Sequence, residues 1–282
     1  MENTVNKNTL FVLSQYLIPQ HSLSRLVGWF ASTKIGFIKN TFISKFAAKY
    51  DVNMDEAKID DLEEFACFND FFTRELKDGA RPIADAKLVS PADGAVSQLG
   101  KIELGRCFQA KGRDFSVVEL LGGDKDRAQP FLNGEFATIY LSPKDYHRVH
   151  MPCAGTLIET VYVPGDLFSV NPTTAEGVDG LFARNERMVC MFETEHGPMA
   201  MVLVGAMIVA GIETVWSGQV CPLPKQAQAQ DYSQGSIKLE KGEEMGRFKL
   251  GSTVILCFPE DALKFLEEVQ AGSPLQMGQA IA

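Results

Sequence analysis

Four side chains after residue 90 have the types needed for acyl chemistry: Asp93, His147, His150 and Ser252. A carboxylate can orient an imidazole, the imidazole can take a proton from a hydroxyl, and the hydroxyl oxygen can then attack a carbonyl carbon. Most chains of this length contain all three residue types, and no GxSxG turn surrounds Ser252. These residues taken alone therefore give only weak support to a serine hydrolase.

The two histidines are also candidates for a metal site. Residues three apart share one face of a helix, but they point to opposite faces of a strand. The segment around them, IYLSPKDYHRVHMP, is typical of a strand end and a turn. No HExxH pattern or pair of cysteines completes a tetrahedral set, so the sequence predicts no metal site. A hydrogen-bonded role in a turn stays open as the structural alternative for one or both rings.

The elements that must position these residues fall into a helical N-terminal part and a β-rich body. Apolar residues recur at helical spacing over 23–30 and 35–46, with Ser22 as a candidate N-cap, and the helical pattern returns over 55–78. From Arg81 onward, short apolar and β-branched runs alternate with Gly and Pro, which predicts strands and turns. A late helix is predicted over 259–269. The sequence thus predicts an α+β fold with a body that resembles barrel-sandwich folds.

Charge separates the same two parts. Residues 1–50 carry six basic side chains and one acidic one, whereas the remaining residues carry 21 basic and 35 acidic ones. Lysines flank the apolar stripes of the N-terminal helices, which favours an anionic membrane surface as partner. The acidic body would repel nucleic acid. The alternative is that the apolar stripes pack on the protein's own core.

Several longer strings resemble the phosphatidylserine decarboxylase family. They are FNDFFTREL at 68–76, SPADG at 90–94, YHRVHMPCAG at 146–155, LFSVNP at 167–172, LFARNER at 181–187, VGAMIVAGIETVW at 204–216 and KGEEMGRFKLGST at 241–253. They occur in the family's order, and the resemblance extends over residues 65–258. The basic N-terminal helices are similar to those of the bacterial membrane-associated branch.

The resemblance implies a proenzyme that cuts itself between Gly251 and Ser252 and turns Ser252 into a covalent pyruvoyl cofactor. It assigns Asp93, His150 and Ser252 to self-cleavage, with Asp93 holding the tautomer of His150, and His147 to decarboxylation. The amine of phosphatidylserine would form a Schiff base with the pyruvoyl ketone, lose carbon dioxide and leave as phosphatidylethanolamine. The absence of a side chain on Gly251 leaves its carbonyl open to attack.

These expectations divide the chain into a membrane-binding helical segment, 1–60, and a decarboxylase domain, 61–282. The expected partners are phosphatidylserine, an anionic membrane and a second copy of the chain, and the cleaved pieces 1–251 and 252–282 are expected to stay associated. The expected location is peripheral, on the cytoplasmic side of the cell membrane. Two alternatives remain: a serine hydrolase using Asp93, His150 and Ser252 on an external substrate, and a non-catalytic membrane-bound β-domain.

Overall fold

The computed structural model of the chain describes residues 2–207, 211–220, 226–249 and 252–282, with side chains from residue 7 onward. Three helices form the N-terminal part: α1 Glu2–Leu17, α2 Gln20–Ala31 and α3 Gly36–Tyr50. The shorter helices in the described ranges are α4 Phe68–Phe72, α5 Val117–Leu120, α6 Lys125–Ala128, α7 Pro172–Gly177 and α8 Leu181–Arg184, with a 3₁₀ turn at Gln129–Phe131.

The β-rich body follows the N-terminal helices, as the α+β prediction requires. Its strands are β1 Gly94–Lys101, β2 Arg106–Ala110, β3 Arg113–Ser116, β4 Glu135–Leu141, β5 Arg148–His150, β6 Gly155–Val163, β7 Arg187–Thr194, β8 Gly197–Val204, β9 Gly211–Thr214, β10 Gly218–Gln219, β11 Gln228–Asp231, β12 Lys238–Leu239, β13 Glu244–Lys249, β14 Ser252–Phe258 and β15 Pro274–Leu275.

The strands form antiparallel sheets. The largest has the order β11-β6-β7-β8-β14-β4-β1-β15, with β12 also paired to β6. A second sheet has the order β10-β9-β13-β5, and β2 pairs with β3. The described strands form no closed barrel, so the barrel-sandwich resemblance does not extend to a closed sheet.

Side-chain alternation along β14 places the large sheet between two apolar cores. Val254 and Leu256 join a cluster that includes Val149 and Phe248 of the second sheet. Ile255 lies in the cluster on the opposite side, which the short helices α5, α7 and α8 cover. Because successive strand residues face opposite ways, Ser252 shares the face of Val254 and points into the space between the two sheets.

An aromatic cluster ties the N-terminal helices to the body. Phe46 on α3 packs against Phe68, Phe71 and Phe72 of α4. Phe72 in turn contacts the ring of His147, with the ring centroids 4.0 Å apart. The short helix α4 therefore lies between α3 and a candidate site residue.

The structure corrects three local predictions. α2 begins at Gln20, after Pro19, so Ser22 lies inside the helix and does not cap it. Most of 55–78 is not helical, because residues around 56–58 pair with 75–77: Lys58 N donates to Glu75 O (2.9 Å) and Lys77 N donates to Glu56 O (2.8 Å). The late helix over 259–269 is also wrong, since that segment consists of turns and extended chain.

Candidate active site

Ser252 is the first residue of a strand in the middle of the large sheet. β14 lies between β8 and β4, and Ser252 pairs with Leu141 in the antiparallel register. Its side chain is fully buried, and its Oγ has no hydrogen-bond partner in the described structure. A buried hydroxyl normally finds a partner, so an unpaired Oγ at this place is a candidate nucleophile. Leu250 and Gly251 lie outside the described residues.

His147 is a neutral imidazole with one free nitrogen. The ring is fully buried, and its Nδ1 lies 2.7 Å from the carbonyl oxygen of Asp145. A carbonyl only accepts hydrogen bonds, so Nδ1 carries the proton and Nε2 keeps its lone pair. That Nε2 has no partner among the described residues. Burial lowers the pKa of His147 to about 3, with Arg74 adding to this effect.

His150 is also neutral, but both of its ring nitrogens are engaged. Nδ1 lies 2.8 Å from the carbonyl oxygen of Gly242, so the same argument places the proton on Nδ1. Nε2 then accepts a hydrogen bond from the hydroxyl of Tyr146 at 3.0 Å. Burial is the main cause that lowers the pKa of His150, and Asp93 is among the charges that oppose it.

Asp93 has a different set of partners from the one predicted. Its carboxylate accepts hydrogen bonds from Arg81 Nε (2.9 Å) and from a terminal nitrogen of the same guanidinium (2.6 Å). It also accepts a bond from the backbone N–H of Met277 (2.8 Å). Asp93 therefore joins Arg81 to the C-terminal part of the chain.

The motif segments meet in space, although their side chains are not linked as a relay. His150 N donates to Pro91 O (2.8 Å), and Phe248 N donates to His147 O (3.0 Å). Asp93 precedes β1 and Ser252 begins β14, with the end of β4 between them, so their Cα atoms are about 10 Å apart. Within the described ranges, no hydrogen bond joins Asp93 to His150, or either of them to Ser252.

Three residues at the site were missed by the sequence reasoning. Arg74 is buried close to His147 and lowers its pKa, and burial lowers the pKa of Arg74 itself. Tyr146 is bonded to His150, and Arg81 pairs with Asp93 and Glu56. Arg74 and Tyr146 lie within the family-like strings, and the position of Tyr146 directly before His147 was a signal that the sequence offered. Arg81 lies outside those strings.

Comparison with known proteins gives a consistent result. The family model described as phosphatidylserine decarboxylase matches residues 68–282, and a model described as PSD matches residues 10–51. The chain belongs to the phosphatidylserine decarboxylase family. It is therefore a decarboxylase, in the class of carboxy-lyases.

Curated relatives of the chain carry the same description, phosphatidylserine decarboxylase proenzyme. The one from Pseudomonas fluorescens is 60% identical over 281 residues, which cover 98% of both chains. The relative from Hahella chejuensis is 58% identical over 272 residues, covering 96% of this chain and 92% of its own length. The relative from Alcanivorax borkumensis is 59% identical over 275 residues, covering 96% of this chain and 94% of its own length.

Proposed function

We propose that this chain is a proenzyme that cleaves itself before Ser252 and then decarboxylates phosphatidylserine to phosphatidylethanolamine. The observation that carries the proposal is the state of Ser252: a fully buried hydroxyl without a partner, at the start of a central strand. An ordinary structural serine at this place would be hydrogen-bonded. The family membership supports the same conclusion.

In the proposed cleavage, Ser252 Oγ attacks the carbonyl carbon of Gly251 while His150 Nε2 takes the hydroxyl proton. The Gly251–Ser252 amide bond breaks as an ester forms, and the amine nitrogen of Ser252 accepts a proton. Loss of the Ser252 α-proton then breaks the Cβ–O bond, which releases the Gly251 carboxylate and leaves dehydroalanine. Water replaces the nitrogen, ammonia leaves, and a pyruvoyl group remains.

For His150 to act as the base, its Nε2 must be free and the positive charge on its protonated ring must be stabilised. The Gly242 carbonyl already holds the productive tautomer, with the Nε2 lone pair available once Tyr146 releases it. In our proposal Asp93 supports the charge that develops on His150 when the ring is protonated. Because the Asp93 carboxylate is bonded to Arg81 and Met277, it acts on His150 through its charge at a distance, or after one of these two bonds has broken.

The site's own residues fit a pyruvoyl group at position 252. The unpartnered Nε2 of His147 can accept a hydrogen bond from an amine, and the buried setting excludes water. A pyruvoyl group supplies a ketone that condenses with the substrate amine and accepts the electron pair left by carbon dioxide. His147 stays neutral at physiological pH, so it holds the amine without adding a positive charge.

Membrane association is the second part of the proposal. Twelve of the seventeen exposed large hydrophobic side chains in the described ranges lie between residues 10 and 42, including Leu26, Trp29 and Phe30. Within the apolar stripe of α2, Leu26 and Phe30 are therefore turned to solvent, whereas Val27 packs on the aromatic cluster. No helix in the described part of the chain is long and apolar enough to cross a membrane. We propose peripheral binding through α1–α3 on the cytoplasmic side.

The cleaved pieces, residues 1–251 and 252–282, are proposed to remain together. Every residue of β14 is buried, and the strand stays paired to β8 and β4. The tail adds further bonds to the first piece: Gly278 N donates to Ser90 O (2.9 Å) and Ile281 N donates to Leu88 O (2.9 Å). A dimer with a second copy and a domain boundary near residue 60 stay predictions.

Mass spectrometry of the purified protein tests the cleavage. The unaltered chain should give residues 1–251 and a second piece that begins with a pyruvoyl group, whereas Ser252→Ala should give one full-length chain. An intact unaltered chain with a stable Ser252 hydroxyl would favour the hydrolase alternative, and normal cleavage of Ser252→Ala would refute the proposal.

Activity and vesicle binding test the remaining parts. Phosphatidylserine in mixed micelles should be decarboxylated without added pyridoxal phosphate or metal, and free serine should react very poorly. Replacing Leu26, Phe30 and Phe42 with Ser should weaken sedimentation with anionic vesicles. Replacing Lys34, Lys45 and Lys49 with Gln should also weaken vesicle binding, by about 1 kcal/mol per charge. Added salt should weaken the binding of the unaltered chain in the same way. Unchanged binding in both sets would refute membrane contact through these helices.

A further inference from the structure

A cavity of about 380 Å³ separates the membrane-facing helix α2 from the body of the protein. One wall is a single face of α2 and the residue after it, formed by His21, Ser24, Arg25, Gly28, Trp29 and Ser32. The opposite wall includes Asn69, Gly205 and Lys249. Its volume is typical of a small-molecule site. α2 therefore directs its polar and small residues to this cavity, while Leu26 and Phe30 are exposed on its outer side.

The inner end of the cavity adjoins the cleavage site. Val204 on β8 pairs with Thr253, so the antiparallel register places Gly205 opposite Ser252. Adjacent strands are about 5 Å apart, so Gly205 is one strand spacing from Ser252. Lys249 ends β13 three residues before Ser252. The outer end adjoins the apolar surface, because Trp29 lines the cavity and is also 67% exposed.

The charges of the lining match an anionic headgroup that also carries an amine. Arg25 donates a hydrogen bond to Ser22 Oγ (3.3 Å) and forms no ion pair with an acidic residue of the described ranges. Lys249 is paired with Glu213, and Glu186 is the one carboxylate among the described lining residues. Arg25 is therefore the lining cation without an acidic partner in the described ranges, and it complements a phosphodiester, whereas Glu186 supplies a negative charge near an ammonium.

Asn69 gives an independent indication of a ligand. The residue is only 8% exposed, and its side-chain N–H₂ donates to Ser32 Oγ at 3.0 Å. Its Oδ1 is buried and has no partner in the described structure. A buried amide oxygen without a donor is costly, by about 1–3 kcal/mol. An ammonium group bound in the cavity would supply the missing donor.

We propose that this cavity binds the phosphoserine headgroup of the lipid, with Arg25 on the phosphodiester and the Asn69 oxygen on the ammonium. The proposal rests on the proposed function, because it places the substrate of that reaction one strand from Ser252. The acyl chains would remain on the outer, apolar side of α2 beside Trp29. Arg25 and Asn69 are thus residues that determine headgroup affinity and not residues that transfer protons.

Binding of a soluble headgroup to the uncleaved Ser252→Ala chain tests this without the pyruvoyl group. Glycerophosphoserine is titrated by calorimetry into that chain and into the same chain carrying Arg25→Gln, with Lys7→Gln as the matched control. Lys7 is an exposed cation on α1 that does not line the cavity. We expect at least tenfold weaker binding for Arg25→Gln, which corresponds to about 1.4 kcal/mol, and no change for Lys7→Gln. Equal affinities in the three chains would overturn the proposal.

Two further comparisons separate the parts of the headgroup from simple anion binding. Asn69→Ala should weaken glycerophosphoserine but leave glycerol phosphate, which has no amine, unaffected. Inorganic phosphate at the same concentration should bind far more weakly than either. If phosphate bound as tightly as glycerophosphoserine, the cavity would be a general anion site and the headgroup assignment would be wrong.

A steric variant tests the cavity in the active enzyme. Gly28→Leu places a side chain in the cavity, whereas Gly36→Leu adds the same side chain at the start of α3, where a Cβ would meet nothing within 4 Å. Both variants should still cleave at Ser252, which reports folding. Gly28→Leu should raise KM for phosphatidylserine in nonionic micelles at least tenfold, and Gly36→Leu should not. A matching KM in both would refute the proposal, whereas no product from the unaltered chain would refute the proposed function instead.

Discussion

The hydrogen bond from Tyr146 to His150 leads to a specific expectation about the rate of self-cleavage. The Gly242 carbonyl holds the proton on Nδ1 of His150, so Nε2 is the nitrogen that can take a proton from Ser252. In the uncleaved chain, however, that lone pair is occupied by the Tyr146 hydroxyl at 3.0 Å. Tyr146 is only 6% exposed, so water does not easily compete for this bond. His150 must give up the bond before it can act as the base.

Replacing Tyr146 with Phe should therefore accelerate cleavage. A hydrogen bond of this kind contributes about 0.5–1.5 kcal/mol net. The substitution removes that stabilisation from the starting state, whereas the state in which Nε2 takes the proton has already lost the bond. Because each 1.36 kcal/mol changes a rate tenfold, cleavage should become faster by about two- to tenfold. The same change should lower the free energy of unfolding of the uncleaved Ser252→Ala chain by a similar amount.

Pulse-chase labelling during cell-free synthesis measures the rate, since conversion of the full-length chain can be followed on a gel. Tyr140→Phe is the matched control, because Tyr140 lies on β4 opposite Thr253 and its hydroxyl is not bonded to either histidine in the described structure. Its cleavage rate should stay within twofold of the unaltered chain. Slower cleavage of Tyr146→Phe would refute the reasoning, because Tyr146 would then assist the proton transfer and not oppose it.

Three other expectations follow from the site. His150→Ala should block cleavage, as seen on gels, whereas His147→Ala should still cleave but lose about 10²- to 10⁴-fold in kcat for carbon dioxide release. If His147→Ala blocked cleavage and His150→Ala cleaved but released little carbon dioxide, the two roles would be exchanged. The depressed pKa of His147 means that the unfolded chain binds more protons between pH 6.5 and 3, so stability should fall as pH falls. In urea, the free energy of unfolding of the Ser252→Ala chain should fall by about 2 kcal/mol between pH 7 and 5 because of His147. This contribution should be absent from the chain that also carries His147→Asn. Gly94 has a φ of +155°, and a Cβ added there would collide with the carbonyl oxygen of Tyr140. Gly94→Ala should therefore lower the free energy of unfolding by about 1–3 kcal/mol in the same measurement. An unchanged value would contradict the tight approach of β1 to β4.

The sequence was most informative where the structure is local. Apolar spacing predicted the helices α2 and α3, and the alternation of apolar runs with Gly and Pro from Arg81 onward predicted a β-rich body, where the structure has strands such as 155–163, 187–194 and 252–258. It failed over 259–269, where a helical pattern is overridden by distant partners. Leu266 N donates to Ile281 O, so this segment is held by a bond to a more distant part of the chain. Such bonds leave no periodic trace in the sequence.

The site itself was predicted unevenly for the same reason. The four candidate residues came from their types and from the family resemblance, and the structure brings their segments together. Their actual hydrogen-bond partners could not be predicted. Gly242 is 92 residues from His150, and Met277 is 184 residues from Asp93. Both contribute backbone groups, which every residue has, so no residue type in the sequence marks them.

The distribution of unpaired polar atoms argues that the site is built for a bound ligand and for chemistry. Apart from Glu244, which pairs with Arg247, the buried side-chain atoms without a partner in the described structure occur at one residue outside the family-like strings, Thr138, and at six within them: Asn69, Arg74, His147, Trp216, Ser252 and Thr253. Each such atom costs about 1–3 kcal/mol, so an apolar side chain of similar shape would make a more stable fold. Their concentration within the family-like strings is what a protein shows where stability has been given up for function. Substrate and a transferred proton are the groups that would complete them, because each of these atoms is a donor or an acceptor that the folded chain leaves unused.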